Sequence, residues 1–524
     1  MTKRQNNKQP QRRDFIKATT AGAAAISLTA ASYDRVLGAN DRIGVAFLGV
    51  GGRCQDHIDV ILERQRTQRD VQPVGVCDVW DGSERLGRGR GRGLYPSARR
   101  CGLNVDDRNK VSKDYRRILE LREADVVCIA TPDHWHARMA IDAAAAGKHI
   151  YCEKPMTRTI DEANAVVDAA RRHNTVMTVG VQTMADPSIR RINEMARRGE
   201  FGHIAQGQTC YFRNSLVGQW RYYPLTPEMT PRTIDWDMFL GHRFEVMPGV
   251  PLGPRRPFDR AVYAQWRCYW DFGGGLYTDL FVHRTTRMIA AMGLRYPARV
   301  VGGGGIYLEY DGRDVPDVAT IVADFNEGAQ LIITGTMIND HPVEDCIRGR
   351  LATVRFANRS RSENGRNVTD HGFEVMPQSI DNRPRQPGQQ NNRETRFVGG
   401  GLSEGAATAP LWDNFLTCVR ARNRDTLSTP ELGAAAFTIV NMGVQSYRQG
   451  QVLFWDRERR RATTADSSWS ARWEQRSHRR ERPSQIMGWS GGDTGSTLQP
   501  PDYQRLAGPW TNGQDPAARE SSGS

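Results

Sequence analysis

Apolar residues run unbroken from Val126 to Ala130, as in a strand buried on both faces, and Thr131-Pro132-Asp133 ends the run. A polar loop follows. Ala137 to Ala146 then gathers helix formers, with Met139, Ile141 and four consecutive alanines giving a thin side that can lie close on a sheet, and Gly147 stops the helix. His149-Ile150-Tyr151-Cys152 opens a further strand. Strand, helix and strand in about thirty residues make one right-handed crossover. Ligands of such sheets sit outside the carboxyl ends of the strands, which is where Thr131 to His136 and Glu153-Lys154-Pro155 fall.

The same alternation extends to both sides. Arg42 to Leu48 reads as a strand that runs directly into Gly49-Val50-Gly51-Gly52-Arg53-Cys54. In a dinucleotide-binding turn the first glycine permits the tight bend and the second lets backbone approach a pyrophosphate at a helix N-terminus. Gly49 and Gly51 stand at those two positions, and Cys54 replaces the third glycine, which only sets helix packing. Val71 to Val76 is the second strand, and Asp78 at its end suits the adenosine ribose hydroxyls while repelling a 2′-phosphate. NAD is therefore expected over NADP, with NADP left open because Arg85 and Arg88 follow closely. Gly82 to Asn109 is a Gly- and Arg-rich insertion without period, read as a loop with one short helix. Ile160 to His173 shows helical spacing and Thr175 to Val181 a strand.

Beyond residue 181 the period changes. Ile204 to Phe212, Val300 to Ile306, Ala319 to Phe325 and Gln330 to Met337 follow one another as strands without helices between the last three, and Gly328 marks a hairpin turn. The fold class is α/β: an N-terminal Rossmann domain, then an α/β domain with a large open, mainly antiparallel sheet. Residues 358–410 are polar and read as a long excursion. Leu411 to Arg422 and Glu431 to Tyr447 return to helical spacing and are expected to pack back on the sheet, with Gln451 to Trp455 a last strand. The expected divisions are 1–40, 41–180, 181–455 and a polar tail, 456–524, whose Trp469, Trp473, Trp489 and Trp510 point to a surface-hugging course.

Composition changes this picture at the amino end. The 524 residues carry a net charge of +13, but residues 1–40 hold seven basic and two acidic groups. Gln11-Arg12-Arg13-Asp14-Phe15-Ile16-Lys17 followed by the mildly apolar Ala18 to Ala31 matches a twin-arginine signal, too weakly apolar to span a membrane. Export of the folded protein by the Tat route to the periplasm or another extracytoplasmic space is expected. With the signal's +5 set aside, +8 of the +13 remains, which weakens a nucleic-acid reading, and the arginines at 85, 88, 90 and 92 and from 472 to 482 read as solvated loop or tail. Nine cysteines include no C-x-x-C pair, Cys77, Cys128 and Cys152 fall inside strand patterns, and no spacing matches a metal site.

Three stretches carry the chemistry: T-P-x-H-x-H at Thr131 to His136, A-G-K-H at Ala146 to His149, and E-K-P at Glu153 to Pro155. In this order, with the Gly-rich turn upstream and Asp279-x-x-x-His283 downstream, they resemble the Gfo/Idh/MocA family of nicotinamide-dependent oxidoreductases over residues 42–455. Candidate cofactor ligands are Gly49, Gly51, Gly52, Arg53, Asp78, Thr131, Pro132, His136, Glu153 and Lys154.

Asp279 and His283, four residues apart, share one helical face after three glycines that let backbone approach a ligand. A carboxylate beside an imidazole supports its protonated form and suits a general base; a buried ion pair bracing two domains explains the spacing equally well. The resemblance implies the first, with Lys154, Asp279 and His283 catalytic: His283 takes a hydroxyl proton, Lys154 bonds the same oxygen and Asp279 orients His283. Many relatives have another Asp three residues after the His, where this chain has Thr286. The family also implies a sugar, polyol or sugar derivative as substrate and a homo-oligomer through the second sheet. Two further classes stay open: a redox-neutral glycosidase, lyase or epimerase that keeps its NAD, and a binding protein without turnover, against which the intact catalytic set argues.

Overall fold

A computed structural model describes residues 42–86, 89–363, 366–378, 394–466 and 469–472. The twin-arginine segment, Arg88, residues 379–393 and the tail from residue 473 lie outside them.

The chain enters on β1 (Ile43–Leu48), buried at every position. It continues through α1 (Gly52–Thr67), β2 (Val71–Cys77), α2 (Leu94–Arg100), β3 (Val111–Ser112), α3 (Tyr115–Leu119), β4 (Val126–Ile129), α4 (Asp133–Ala145), β5 (His149–Glu153), α5 (Ile160–Arg172) and β6 (Met177–Gly180). All six strands are parallel in the order β3-β2-β1-β4-β5-β6. From β1 the order runs outward through β2 in one direction and through β4 in the other, so a crevice opens at the carboxyl ends of β1 and β4. The apolar runs foretold β1, β2, β4, β5 and β6 because both sheet faces are covered; β3, only two residues long, carries no such run.

The T-P-D-H-W-H stretch departs from its expected course as a loop: α4 already begins at Asp133, with Pro132 at the cap position. Its first turn is held by tertiary packing more than by propensity. The His134 ring meets Phe239 and Phe272 edge-on, and Trp135 meets Tyr115 and Phe244.

After α6 (Pro187–Arg197), β7 (Ile204–Asn214) starts the second sheet. A π-helical turn, Leu276–Phe281, leads into α7 (Val282–Met292), followed by β8 (Arg299–Gly305), β9 (Val318–Phe325), β10 (Ala329–Thr336) and β11 (Cys346–Gly349). Next come β12 (Ala352–Glu363), β13 (Arg366–Pro377) and β14 (Arg396–Val398). The order is β14-β13-β12-β11-β7-β10-β9-β8, antiparallel except where β7 meets β10. Gly328, with φ of 84°, turns β9 into β10.

Two expectations are corrected here. The start of the polar excursion is the long hairpin β12–β13; the outer half of β12 is exposed at every position, so no apolar alternation marks it. The first late helix, α8 (Thr408–Arg420), packs into the core of the N-terminal sheet, not onto the second: Leu411, Trp412 and Phe415 are buried among Val45, Phe47 and Tyr151. Helix α9 (Pro430–Gln449), buried along most of its length, lies against β8, α5 and α7.

Between β7 and the π-helical turn, a long irregular segment without apolar period crosses back to the first sheet. Its Thr233 carbonyl accepts from the Asp81 backbone N–H at 3.0 Å and from Lys113 Nζ at 2.9 Å, the Asp235 N–H donates to the Val79 carbonyl at 2.8 Å, and Trp135 Nε1 donates to the Phe239 carbonyl at 3.0 Å. From Leu453 the chain forms a second compact unit containing the antiparallel pair β15 (Leu453–Asp456) and β16 (Arg461–Thr463). Among the described residues no helix is long and apolar enough to cross a membrane.

Candidate active site

The chain turns out of β1 at Gly49 with φ of +80°, and a Cβ there would stand 2.6 Å from Thr131 Cγ2, so the turn admits only glycine. A Cβ on Gly51 would meet nothing within 4 Å, which leaves open space above the backbone. Helix α1 then starts at Gly52 with no side chain capping it, so its first N–H groups are free for an anion. Arg92, from the Gly- and Arg-rich insertion, folds back over this point. Its guanidinium carbon lies 3.2 Å from where a Gly52 Cβ would be, its Nε is buried without a partner, and it makes no ion pair among the described residues. The solvated-loop reading of this arginine is thereby corrected: nothing in the repeated Gly-Arg pattern says which arginine turns inward.

Asp78 follows β2 and accepts the Trp80 N–H at 2.9 Å. Burial pushes its carboxyl up to about 6 against backbone donors at Trp80 and Val50, so it is mostly ionised at neutral pH. With Gly49, Gly51, Gly52, Arg53, Thr131 and Pro132 it lines a cavity of about 190 Å³ whose far walls are Trp80, Met229 and Tyr263. Thr131 Oγ1 is buried with no partner. A cradle open above Gly51, an unpaired arginine, an ionised carboxylate at the second strand's end and an unsatisfied hydroxyl together fit a dinucleotide.

An adjoining cleft of about 770 Å³ is lined by Arg53, Thr131, Asp133, Glu153, Lys154, Asp279 and His283 among others. Lys154 Nζ donates to both the Asp279 carbonyl at 2.7 Å and its Oδ1 at 2.8 Å. Arg267 Nε reaches the same oxygen at 3.1 Å, and Trp220 Nε1 takes Oδ2 at 3.0 Å. Burial alone would push the Asp279 carboxyl up, but Lys154 and Arg267 outweigh it and hold it well below the usual carboxylate range.

The expected Asp279–His283 pairing is absent. Both Asp279 oxygens are committed to charged or indole donors, and no hydrogen bond joins it to His283, whose Nδ1 is buried without a partner. Burial first, and Lys154 next, drive the His283 imidazole well below its ordinary pKa, so it is neutral rather than protonated. Asp133, in the first turn of α4, accepts from Thr278 Oγ1 at 3.2 Å. Burial, reinforced by Asp279, pushes its carboxyl up to about 8.

Glu153 braces the site from behind. Its Oε1 receives Arg53 Nε at 2.9 Å and Gln182 Nε2 at 2.8 Å, and lies 2.9 Å from His57 Nε2, while Oε2 takes the Lys154 N–H at 3.1 Å. Trp412 Nε1, which can only donate, points at His57 Nδ1 at 2.9 Å; His57 therefore carries its proton on Nε2 and gives it to Glu153. His136 is the predicted ligand that lines neither cavity: its ring nitrogens face the Pro155 carbonyl at 2.6 Å and the Thr131 carbonyl at 2.9 Å, tying the two strand-end loops together. Arg92, Trp220 and Arg267 escaped the sequence reading because each reaches the site from a stretch without motif or period, and Asp133 because it stands at a variable position of the T-P-x-H-x-H motif.

Residues 43–181 match the Gfo/Idh/MocA family model, an oxidoreductase family with an NAD-binding Rossmann fold. The chain is 37% identical over 131 residues to levoglucosan dehydrogenase of Pseudarthrobacter phenanthrenivorans, covering 25% of this chain and 31% of that one. It is 28% identical over 221 residues to an alpha-N-acetylgalactosaminidase of Shewanella oneidensis, covering 39% and 46%. The chain thus spans less than half the length of these curated relatives. In fold it is similar to a levoglucosan dehydrogenase solved with NADH and levoglucosan, with a TM-score of 0.55 and 19% identity over 79% of this chain and 99% of that one. A glycine turn at a switch point, an acid at the second strand's end and the family match over the same span agree: residues 43–181 form an NAD-binding Rossmann domain of the kind that the Gfo/Idh/MocA family model describes.

Proposed function

We propose that the protein oxidises or reduces a carbinol carbon of a sugar, polyol or sugar derivative in the cleft beside its NAD site. The observation that carries this reading is the meeting of Lys154, Asp279 and His283 in the cleft that adjoins the glycine turn. Gly51, the N-terminus of α1 and Arg92 would hold the diphosphate, Asp78 the adenosine ribose, and Thr131 the part that enters the cleft. When bound, NAD supplies the acceptor or donor of hydride.

The protein's own contribution is proton and charge control. A lysine ammonium has three N–H donors, and Lys154 spends two on Asp279, which leaves one for the substrate oxygen. Asp279 keeps the ammonium aimed; a fixed positive donor stabilises the developing alkoxide. His283, held neutral, is ready to take the hydroxyl proton.

Relatives named levoglucosan dehydrogenase support the sugar class. A second reading, redox-neutral glycoside cleavage with retained NAD, draws on Asp133, a carboxylic acid kept protonated in the same cleft. Export by the twin-arginine route rests on residues 11–17.

The test follows absorbance at 340 nm in the purified NAD-loaded protein offered levoglucosan, polyols and hexoses. Lys154→Ala should lower turnover at least about a hundredfold with the fold intact; near-normal turnover would sink the assignment. Accumulating NADH marks net oxidation, whereas released aglycone from a nitrophenyl glycoside without accumulating NADH marks the redox-neutral reading.

A further inference from the structure

The reacting end of the cleft holds more fixed positive charge than the protein neutralises. Lys154 and Arg267 share one carboxylate, Asp279. Arg213, near the end of β7, lines the same cleft and makes no ion pair among the described residues. It donates from Nη2 to the Tyr211 hydroxyl at 2.7 Å, and its guanidinium stands over that ring at 4.9 Å. Arg284 stands over the same ring, also at 4.9 Å, and shares Asp345 with Arg287. Tyr211 is thus flanked by two guanidinium groups, and its ring centroid lies 6.4 Å from that of His283.

The remaining acids of the cleft are spent elsewhere. Glu153 is held by Arg53 and His57, and Asp56 and Asp59 by Arg53, Arg90 and Arg100. Asp133 is kept from ionising by burial and by Asp279. Glu404, on the loop before α8, acts on Arg287. Three cations, Lys154, Arg267 and Arg213, therefore face the reaction centre against one ionised carboxylate, and oxidised nicotinamide adds a further positive charge. A guanidinium that lines a cleft without a carboxylate is matched best by a planar or tetrahedral oxyanion, which it can bind through two parallel N–H donors.

From this arrangement we infer that the substrate is an anionic sugar, whose carboxylate or phosphate is received by Arg213 while its carbinol faces Lys154 and His283. The inference rests on the reading that sugars react in this cleft. The imidazole and the guanidinium both lie beside the Tyr211 ring, 6.4 Å and 4.9 Å from its centroid, so an anionic group carried on the sugar away from the reacting carbon would meet Arg213. The positive cleft would also draw such a substrate in from solution, an effect that added salt weakens.

Calorimetric titration of the NAD-loaded full-length protein with D-glucuronate, D-glucose 6-phosphate and D-glucose at low ionic strength tests this. One of the charged sugars should bind at least about tenfold more tightly than glucose, about 1.4 kcal/mol, and which one does so separates carboxylate from phosphate. Arg213→Gln should bring charged and neutral sugars within about twofold, Arg213→Lys should retain part of the preference, and NADH affinity should be unchanged in both. Glucose binding as tightly as both anions, a preference that survives Arg213→Gln, or no binding of any of the three overturns the inference. Reduction of the bound NAD is read separately: an anion that binds through Arg213 without reducing NAD refutes the redox reading and leaves this one standing.

Discussion

Asp133 and Asp279 share one buried corner and titrate in opposite directions. Two salt-bridging cations reach Asp279, whereas Asp133 receives one hydroxyl hydrogen bond and the field of its neighbour. A carboxyl whose folded pKa, about 8 here, exceeds its unfolded value near 4 binds more protons folded than unfolded between those limits, so stability falls as pH rises through that window. Asp133→Asn keeps the shape and removes the titration. Its melting temperature should therefore rise relative to the parent from about pH 4 to pH 8, with a constant difference beyond. Parallel melting curves across pH 4 to 9 would show that Asp133 ionises normally. His283 is pushed the other way, and it stays neutral well below pH 6.5. A loss of kcat/KM between pH 7 and 6 would accordingly have to come from another group.

At the scale of elements, α8 does what its position in the chain conceals. It arrives after the second sheet, yet it seals the first, and Trp412 stacks on Tyr151 with ring centroids 4.3 Å apart while donating to His57. Removing that donor leaves a buried Nδ1 without a partner, at a cost of about 1–3 kcal/mol. Trp412→Phe should cost that much in denaturant unfolding, and Trp412→Leu more, about 3–5 kcal/mol as an aromatic is lost from the core. A Phe variant of full stability would show that water or a flipped ring replaces the indole. The β4-α4-β5 crossover was legible because unbroken apolar runs and an alanine-rich helix can be little else. The start of α4 was not, because Asp133, His134, Trp135 and His136 are indifferent helix formers fixed by Phe239 and Phe272 from far along the chain. Motif order singled out Lys154, Asp279 and His283, which line one cleft, but the expected bond from Asp279 to His283 is not made: spacing puts two side chains on one face without revealing that Lys154, 125 residues away, competes for the same carboxylate.

For the whole molecule, the decisive feature is that the second domain's irregular segment closes the nucleotide cavity formed by the first. Met229, Phe239 and Tyr263 line that cavity, and the segment is tied down by backbone bonds from Asp81 and to Val79. If a dinucleotide bound beneath it leaves only when these contacts part, release should be slow even where the contacts of the nucleotide itself are ordinary; for related complexes affinity differences reside mostly in such off-rates. Trp236 offers a lever, since it lines neither cavity but stacks on Phe239 with centroids 5.0 Å apart and donates to the Arg256 carbonyl at 2.8 Å. Trp236→Ala should raise the NADH off-rate about tenfold or more, equivalent to about 1.4 kcal/mol, measured by fluorescence after dilution into excess NAD, with little change in the association rate. The parent should keep its nicotinamide through dialysis that empties the variant. Equal off-rates, or a parent that dialyses free, would mean that the segment opens faster than the nucleotide lets go. Closure would then be no barrier, and a protein exported in folded form would lose its cofactor to dilution.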